Sequence, residues 1–459
     1  MKYYIKENED DFYRLLKLNS EGAKGNEACF TFYDFIGESK KVTEITRKEL
    51  LDKSLNIAAE LKKQGAKKGD RAVIFSTQTY DNVLSVVASV LSGVVFTLIP
   101  PPIDSNKMDR FLSVVSSCEP KFILCGTNLR DTLEGVLLKL KNNSKYTNLL
   151  NEIKVIDVEG CEDVTNFEPE HITVDDVIYI QYSSGSTSAP KGIVVRYGNL
   201  LSSLNGSLSV YSQIRRVFGW VPFFHNLGLA YLIFSAVLND NIVSGIMSPA
   251  AFLEKPSRWI EGVSEFKANA TLAPNSVYET YPKLVPANSL KDKNIDLSTV
   301  ELYLNGSEMI SYEGMVNFVE EYKEYGISID KFGPGYGLSE TACGISVAPK
   351  YEEKTNLTID FDAYKNGKLV LADEDTDNTM NFVSSGTPIP GVLFKVVNPH
   401  TLEECKEDEF GEIWVQSGCN AKEYYKNEEA TKETFEATLK GYEGIFLRTE
   451  SGGNGNVDL

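Results

Sequence analysis

The chain has 459 residues, 42% apolar and 24% charged, the composition of an ordinary globular protein; its length suggests about three units of usual domain size. With 65 acidic against 46 basic residues its formal charge is −19, which argues against a nucleic-acid or anionic-membrane surface, since both need a basic patch. Seven scattered cysteines (Cys29, Cys118, Cys125, Cys161, Cys343, Cys405 and Cys419) contain no C-x-x-C pair, so reduced thiols in a cytoplasm fit better than a disulfide framework or a zinc site.

The opening "MKYYIKENEDDFYRLL" carries acids where a signal peptide needs an apolar run. From Thr43 the pattern alternates. "TRKELLDKSLNIAAELKKQGAKKGD" has apolar residues at helical spacing and ends in Gly65 and Gly69. "RAVIFS" then reads as a strand, "TYDNVLSVVASVLSGV" as a helix and "VFTLIP" as a strand stopped by Pro100 to Pro102. A helix over "DRFLSVVSSCEP" and a strand "KFILC" continue a βαβ grammar, which predicts mostly parallel sheet covered by helices.

Between two apolar runs, "VIYIQY" and "GIVV", lies "YSSGSTSAPKG" (182–192). Small residues, hydroxyls and Lys191 suit a phosphate, yet Pro190 and Gly192 break the G-x-x-x-x-G-K-[ST] pattern. Phosphate binding and a structural hairpin both remain open here; a flexible linker does not, because strands flank the segment on both sides.

The middle third repeats the alternation: "RVFGWVPF" (strand), "LGLAYLIFSAVL" (helix), "NIVSGIM" (strand), "PSRWIEGVSEFKA" (helix), then strands "ATLAP" and "VELYLNG". The apolar run 227–238 falls short of the roughly 20 residues of a membrane span. His225, one of three histidines, precedes it and reads as structural or as a site residue. Two side-by-side α/β subdomains over residues 1–345 are expected, followed by a smaller β-rich subdomain, a distorted barrel, over 346–459. Within the latter, Asn366-Gly367 in "YKNGKLVL" is a hairpin signal.

Three stretches taken together identify the chain as a member of the adenylate-forming superfamily, which includes acyl-CoA synthetases, luciferases and peptide-synthetase adenylation domains. They are "YSSGSTSAPKG", "GYGLSETA" (335–342) and "GEIWVQSG" (411–418), in the family's order and approximate spacing. Within it the chain most resembles fatty acyl-AMP ligases, through "LIPPPI" (98–103), "GWVPFFHNLGL" (219–229), "LNGSEMI" (304–310) and "VSSGTPIPG" (383–391). The likeness runs from about residue 8 to 449.

The resemblance implies ATP-dependent activation of a fatty acid to an acyl-adenylate, with pyrophosphate released. The acyl group would then pass to the phosphopantetheine thiol of an acyl carrier protein. It implies that Ser183, Ser184, Gly185, Ser186, Thr187 and Lys191 grip the ATP phosphates, and that Asn305, Gly306, Ser307 and Glu308 line the adenine. Tyr336, with Gly337, would pack on the adenine, Ser339 would donate to the α-phosphate and Glu340 would bind Mg2+. Catalysis would rest on Thr187, Lys191, His225 and Glu340, with His225, Leu229 and Ile233 at the acyl pocket.

Elementary chemistry is compatible with these roles. Carboxylate attack on the α-phosphorus brings anions together, so charge must be neutralised, and Mg2+ needs only one or two carboxylates besides phosphate oxygens and waters. As alternatives, Glu340 would merely complement a helix dipole, and Leu229 and Ile233 would be core. A fatty carboxylate is ionised at neutral pH and needs no base, so His225 would position it. An amino-acid substrate would need a buried acid for its ammonium, and residues 223–240 offer none before Asp240. Residues 350–386 resemble the insertion that disfavours CoA as acceptor, with Ile359, Phe361, Tyr364, Leu369 and Leu371 as apolar anchors.

Three departures stand out. Ser188 replaces a usual glycine, Asn226 a usual acid after the histidine, and "RTES" (448–451), with Glu450, the family's Thr-Gly-Asp. The family's small C-terminal domain with its mobile lysine is not in this sequence, which predicts weak turnover. An acyl-CoA or amino-acid-activating ligase, and a non-catalytic acyl-nucleotide binding module, are the competing readings.

Overall fold

The structure is a computed structural model and describes residues 11–102, 105–126, 129, 133, 135, 152–162, 167–182, 190–352, 356–366, 368–373, 375–406 and 409–450. A six-stranded sheet runs in the order Lys154–Asp157, Phe122–Cys125, Arg71–Phe75, Val95–Ile99, Val177–Tyr182, Gly192–Arg196. Neighbours are parallel except the last pair, which is antiparallel. Its central strands are β-branched and aromatic runs buried on both faces, the pattern a parallel sheet under helices requires. The helix Arg47–Lys63 opens in a capping box made by Thr46 and Glu49, and Tyr80–Leu91 is buried from Asn82 onward.

A second, nine-stranded sheet contains the middle third. Parallel strands Val243–Met247, Arg216–Gly219, Ala270–Pro274, Leu302–Gly306 and Phe332–Gly337 form its body. Two elements that the sequence pattern did not announce complete one edge. Ala28–Ile36 pairs in parallel with Val243–Met247, and Ser39–Thr46 folds back on it. Thus the chain starts in the second sheet and then builds the first. At the other edge lie Gly344–Val347 and Thr387–Pro388, so residue 345 falls inside a strand of this sheet. One apolar core spans both sheets, joined by the stacked rings of Phe96, Tyr179 and Phe234.

The remaining β-rich part contains an antiparallel sheet of Val392–Val397, Glu412–Ser417 and Leu447–Arg448, and the pair Leu357–Asp360 with Thr379–Phe382. Asn366 does not start a tight hairpin. Asp360 accepts from the backbone N–H of Asp362 and Ala363, nucleating the helix Phe361–Lys365, and Asn366 closes it by donating to Ala363 O. Gly367 lies outside the described residues. Of the expected anchors, Ile359 is fully buried and Tyr364 sets its ring edge-on to Phe410 at 5.2 Å, whereas Leu371 is 63% exposed and anchors nothing. All seven cysteines are free thiols, and no helix among the described residues is long and apolar enough to cross a membrane.

Candidate active site

The parallel strands Leu302–Gly306 and Phe332–Gly337 end side by side, and beyond their carboxyl ends lies a cavity of about 140 Å³. His225, Asn305, Gly306, Ser307, Tyr336, Gly337 and Ser339, seven residues from three distant segments, line it together. Local backbone chemistry shapes the opening. A Cβ on Gly306 would stand 2.7 Å from Gly335 O, and one on Gly337 would stand 2.3 Å from Cys343 O, so only glycine permits these approaches. Ser307, in the cavity lining, takes a left-handed φ of 69°, and Ala342, next to the lining residue Cys343, one of 60°.

Two buried carboxamides face this space. Asn305 donates through Nδ2 to Asn275 Oδ1 at 3.2 Å, and its Oδ1 has no hydrogen-bond partner. Asn226 donates weakly to Ser339 O at 3.5 Å, and its Oδ1 is likewise unpartnered. A buried acceptor without a donor costs about 1–3 kcal/mol, which a ligand carrying N–H or O–H groups would relieve.

His225 stands exposed at the mouth, held by the segment before it. Gln78, itself at φ 58°, donates from Nε2 to Trp220 O at 3.0 Å and Val221 O at 2.8 Å, and accepts from Phe223 N at 3.2 Å. The His225 Nδ1 accepts from Leu227 N at 3.3 Å, which leaves Nε2 to carry the proton and donate. Surrounding protein displaces water and lowers its pKa below 6.5, so the ring is neutral at pH 7.

On the other flank, residues 423–425 pair along the edge strand Gly192–Arg196: Val194 N donates to Glu423 O, and Tyr425 N to Gly192 O. This brings Lys191 Nζ to 5.1 Å from the centre of the Tyr424 ring. The Tyr424 hydroxyl donates to Glu340 Oε1 at 2.9 Å. Burial pushes the Glu340 carboxyl above the usual range, opposed by the Tyr424 hydrogen bond and, more weakly, by Lys191. Burial also raises the Tyr424 hydroxyl, with Glu340 adding to it. Glu450 is close enough to act electrostatically on both groups.

The other sequence expectations divide. Ser183, Ser184, Gly185, Ser186 and Thr187 lie outside the described residues, as does Ser188. Glu308 is turned away: its carboxylate accepts from Ser276 N at 2.7 Å and Ser276 Oγ at 3.1 Å, at the start of the helix Asn275–Leu284. Leu229 and Ile233 are buried in the common core and do not line this cavity; Leu227 and Tyr231 do. Leu229, Tyr231 and Ile233 lie in a π-helix, Leu229–Phe234, continued as α-helix Ser235–Leu238.

The sequence matches the family model described as AMP-binding enzyme over residues 21–425. The chain belongs to the AMP-binding enzyme family. It is an adenylate-forming ligase, and the relatives it matches place it near the fatty acyl-AMP ligases. It is 30% identical over 434 residues to the medium-chain-fatty-acid–[acyl-carrier-protein] ligase JamA of Moorena producens, a match covering 91% of this chain and 71% of that protein. It is 28% identical to a long-chain-fatty-acid–AMP ligase of Mycobacterium marinum, covering 91% of this chain and 66% of the other. Among solved structures, the fatty acid AMP ligase from Legionella pneumophila superposes with a TM-score of 0.86 at 28% identity, over 98% of this chain and 75% of that one. A fatty acyl-adenylate ligase from L. pneumophila, in complex with acyl adenylate and pyrophosphate, gives 0.86 at 27% identity, over 97% and 76%.

The residues present suit a nucleotide of this family: a glycine-walled cavity, two unpartnered buried acceptors and a neutral histidine donor meet at strand ends. Among the described residues no group of three or more His, Cys, Asp or Glu could hold a metal by itself. Glu340 is a single carboxylate, a donor set that suits a cation sharing its coordination with phosphate oxygens and water. Sequence reasoning missed Tyr424 and Gln78. "NAKEYYKN" (420–427) carries no motif, and Gln78 has only its position after a strand to mark it.

Proposed function

We propose that the chain activates a fatty acid: its carboxylate oxygen attacks the α-phosphorus of ATP, pyrophosphate leaves, and an acyl-adenylate forms. In a second step a phosphopantetheine thiol of an acyl carrier protein attacks the acyl carbonyl and AMP leaves. The observation carrying the fatty acyl assignment is that among the described residues no acidic side chain lines the cavity or its apolar neighbour, so a substrate ammonium would have no counter-charge. Asp240 lines neither.

In this reading Ser183, Ser184, Gly185, Ser186, Thr187 and Lys191 hold the phosphates, and Lys191 is kept in place by the Tyr424 ring. Asn305, Gly306, Ser307, Tyr336 and Gly337 bind the adenosine, with the unpartnered Asn305 oxygen as an acceptor. Ser339 donates to the α-phosphate, and neutral His225 orients the carboxylate through Nε2–H. Mg2+, when bound at Glu340, offsets phosphate charge as the carboxylate approaches. Free thiols throughout suit a reducing cytoplasm.

The test is thermal-shift titration with acyl sulfamoyl-adenosines from acetyl to hexadecanoyl, together with an aminoacyl version. At a hundredfold excess over Kd a ligand adds about 2.7 kcal/mol of stability. Stabilisation that grows with chain length supports the reading. Stabilisation only by the aminoacyl compound moves the activity to amino-acid adenylation, and release of acyl-CoA on adding CoA makes the chain a CoA ligase. ATP and acyl binding without any pyrophosphate release would leave a non-catalytic binding module.

A further inference from the structure

Beside the adenylate cavity lies a smaller one of about 40 Å³, between the helix Tyr197–Val210 and the strands Ala270–Pro274 and Leu302–Gly306. Tyr231 and Leu304 line both. The smaller cavity is hydrocarbon in character. Leu208, Val217, Ile242 and Leu272 wall it, and its hydroxyls are directed elsewhere: Ser235 Oγ donates to Tyr231 O at 2.6 Å and Thr271 Oγ1 to Phe218 O at 2.8 Å.

Where the two spaces meet, Tyr231 makes a polar contact. The hydroxyls of Tyr231 and Ser207 are 2.9 Å apart and hydrogen-bonded. Tyr231 sits in the π-helical turn Leu229–Phe234, a rare conformation that is frequent at functional sites. Its hydroxyl is accommodated because residue 344 is glycine; a Cβ there would lie 2.6 Å from it.

We propose that the Tyr231–Ser207 pair is a bar that sets acyl chain length. Short acyl chains end on the nucleotide side of the bar, and longer ones enter the apolar cavity only when Tyr231 turns aside and gives up its bond to Ser207. This inference rests on the fatty acyl reading above and adds to it the residues that measure the substrate. An aliphatic chain offers neither hydroxyl a hydrogen bond, so the bond broken on entry is not replaced by the ligand, and chain length is discriminated at that step.

The experiment uses the whole chain and sulfamoyl-adenosines carrying butanoyl to hexadecanoyl groups, with affinity measured by calorimetry. Tyr231→Phe keeps the ring and removes the bond; Ser207→Ala removes it from the other side; Tyr231→Ala removes the bar. In each of the first two the ratio of hexadecanoyl to butanoyl affinity rises about fivefold, and in Tyr231→Ala the longest chain accepted increases. Both conservative variants keep their core volume, so folding is preserved even where Tyr231→Ala is unstable. Acyl compounds that bind with the same ratio in wild type, Tyr231→Phe and Ser207→Ala overturn the bar alone. Wild-type protein that binds none of them overturns the fatty acyl reading, and the bar with it.

Discussion

Tyr424→Phe isolates the chemistry of Glu340. The substitution removes the hydroxyl that donates to Glu340 at 2.9 Å and leaves the ring against Phe435, 5.0 Å away, so packing is kept. A hydrogen bond to an ionised partner contributes about 1.5–3 kcal/mol, and Glu340 receives it in a setting where burial already opposes ionisation. Without it the carboxyl pKa rises further. Near neutral pH, Mg2+-dependent binding of an ATP analogue therefore weakens, by at most about ten- to a hundredfold, and its acid limb moves to higher pH. The ligand-free fold responds with the opposite sign. A carboxyl raised in the folded state gives stability that is full below its unfolded pKa of 4.5 and is lost as pH rises through the folded value. In Tyr424→Phe that loss is larger and extends to higher pH. Calorimetric titration of the analogue and melting curves, both between about pH 5 and 8, read the two effects. An acid limb unmoved by the substitution, or binding lost equally at every pH, would refute the assignment of Tyr424 to the charge state of Glu340.

Gly337→Ala drives a methyl group to 2.3 Å from Cys343 O and 2.7 Å from Gly344 Cα, backbone that cannot step aside; acyl sulfamoyl-adenosine should no longer raise the melting temperature. Gln78→Ala leaves Trp220 O, Val221 O and Phe223 N without their side-chain partner, at about 1–3 kcal/mol for each group, so urea unfolding should show a loss of at least about 3 kcal/mol. The lowered pKa of His225 gives stability that is full above pH 6.5 and lost as pH falls through the folded value; in melting curves His225→Gln should lack that part of the acid-side decline.

The alternating grammar between Thr43 and Cys125 was legible because parallel strands buried on both faces are written as continuous β-branched runs, and "RAVIF", "VFTLI" and "FILC" each became one. Glycine-rich strand ends carried the cavity: "LNGS" and "GYGLS" meet where two parallel strands stop. Phase was not legible in "LGLAYLIF", which is apolar on all sides. A π turn there changes which side chains share a face, so Tyr231 reaches the cavity while Leu229 and Ile233 are core. Nor could spacing foresee Glu308, since the left-handed turn at Ser307 sends the next side chain to a helix start. Tyr424 meets Glu340 across 84 residues, a pairing made by an edge strand and by nothing local.

The edge hairpin of Ala28–Ile36 and Ser39–Thr46 also orders events during synthesis. Phe30 is paired with Ser244 and Tyr33 with Met247, so the first strand made must wait until more than half of the chain has been synthesised before its parallel partner exists. Meanwhile the six-stranded sheet, complete at Arg196, can form ahead of it. Until Val243–Met247 arrives, "ACFTFYDFI" is paired on one side only, with Ser39–Thr46, and its other side is exposed to the pairing hazards of any open edge. A chain interrupted anywhere between residues 47 and 242 keeps that strand and loses the one it pairs with in parallel, leaving an open aromatic edge that a holding chaperone would have to cover.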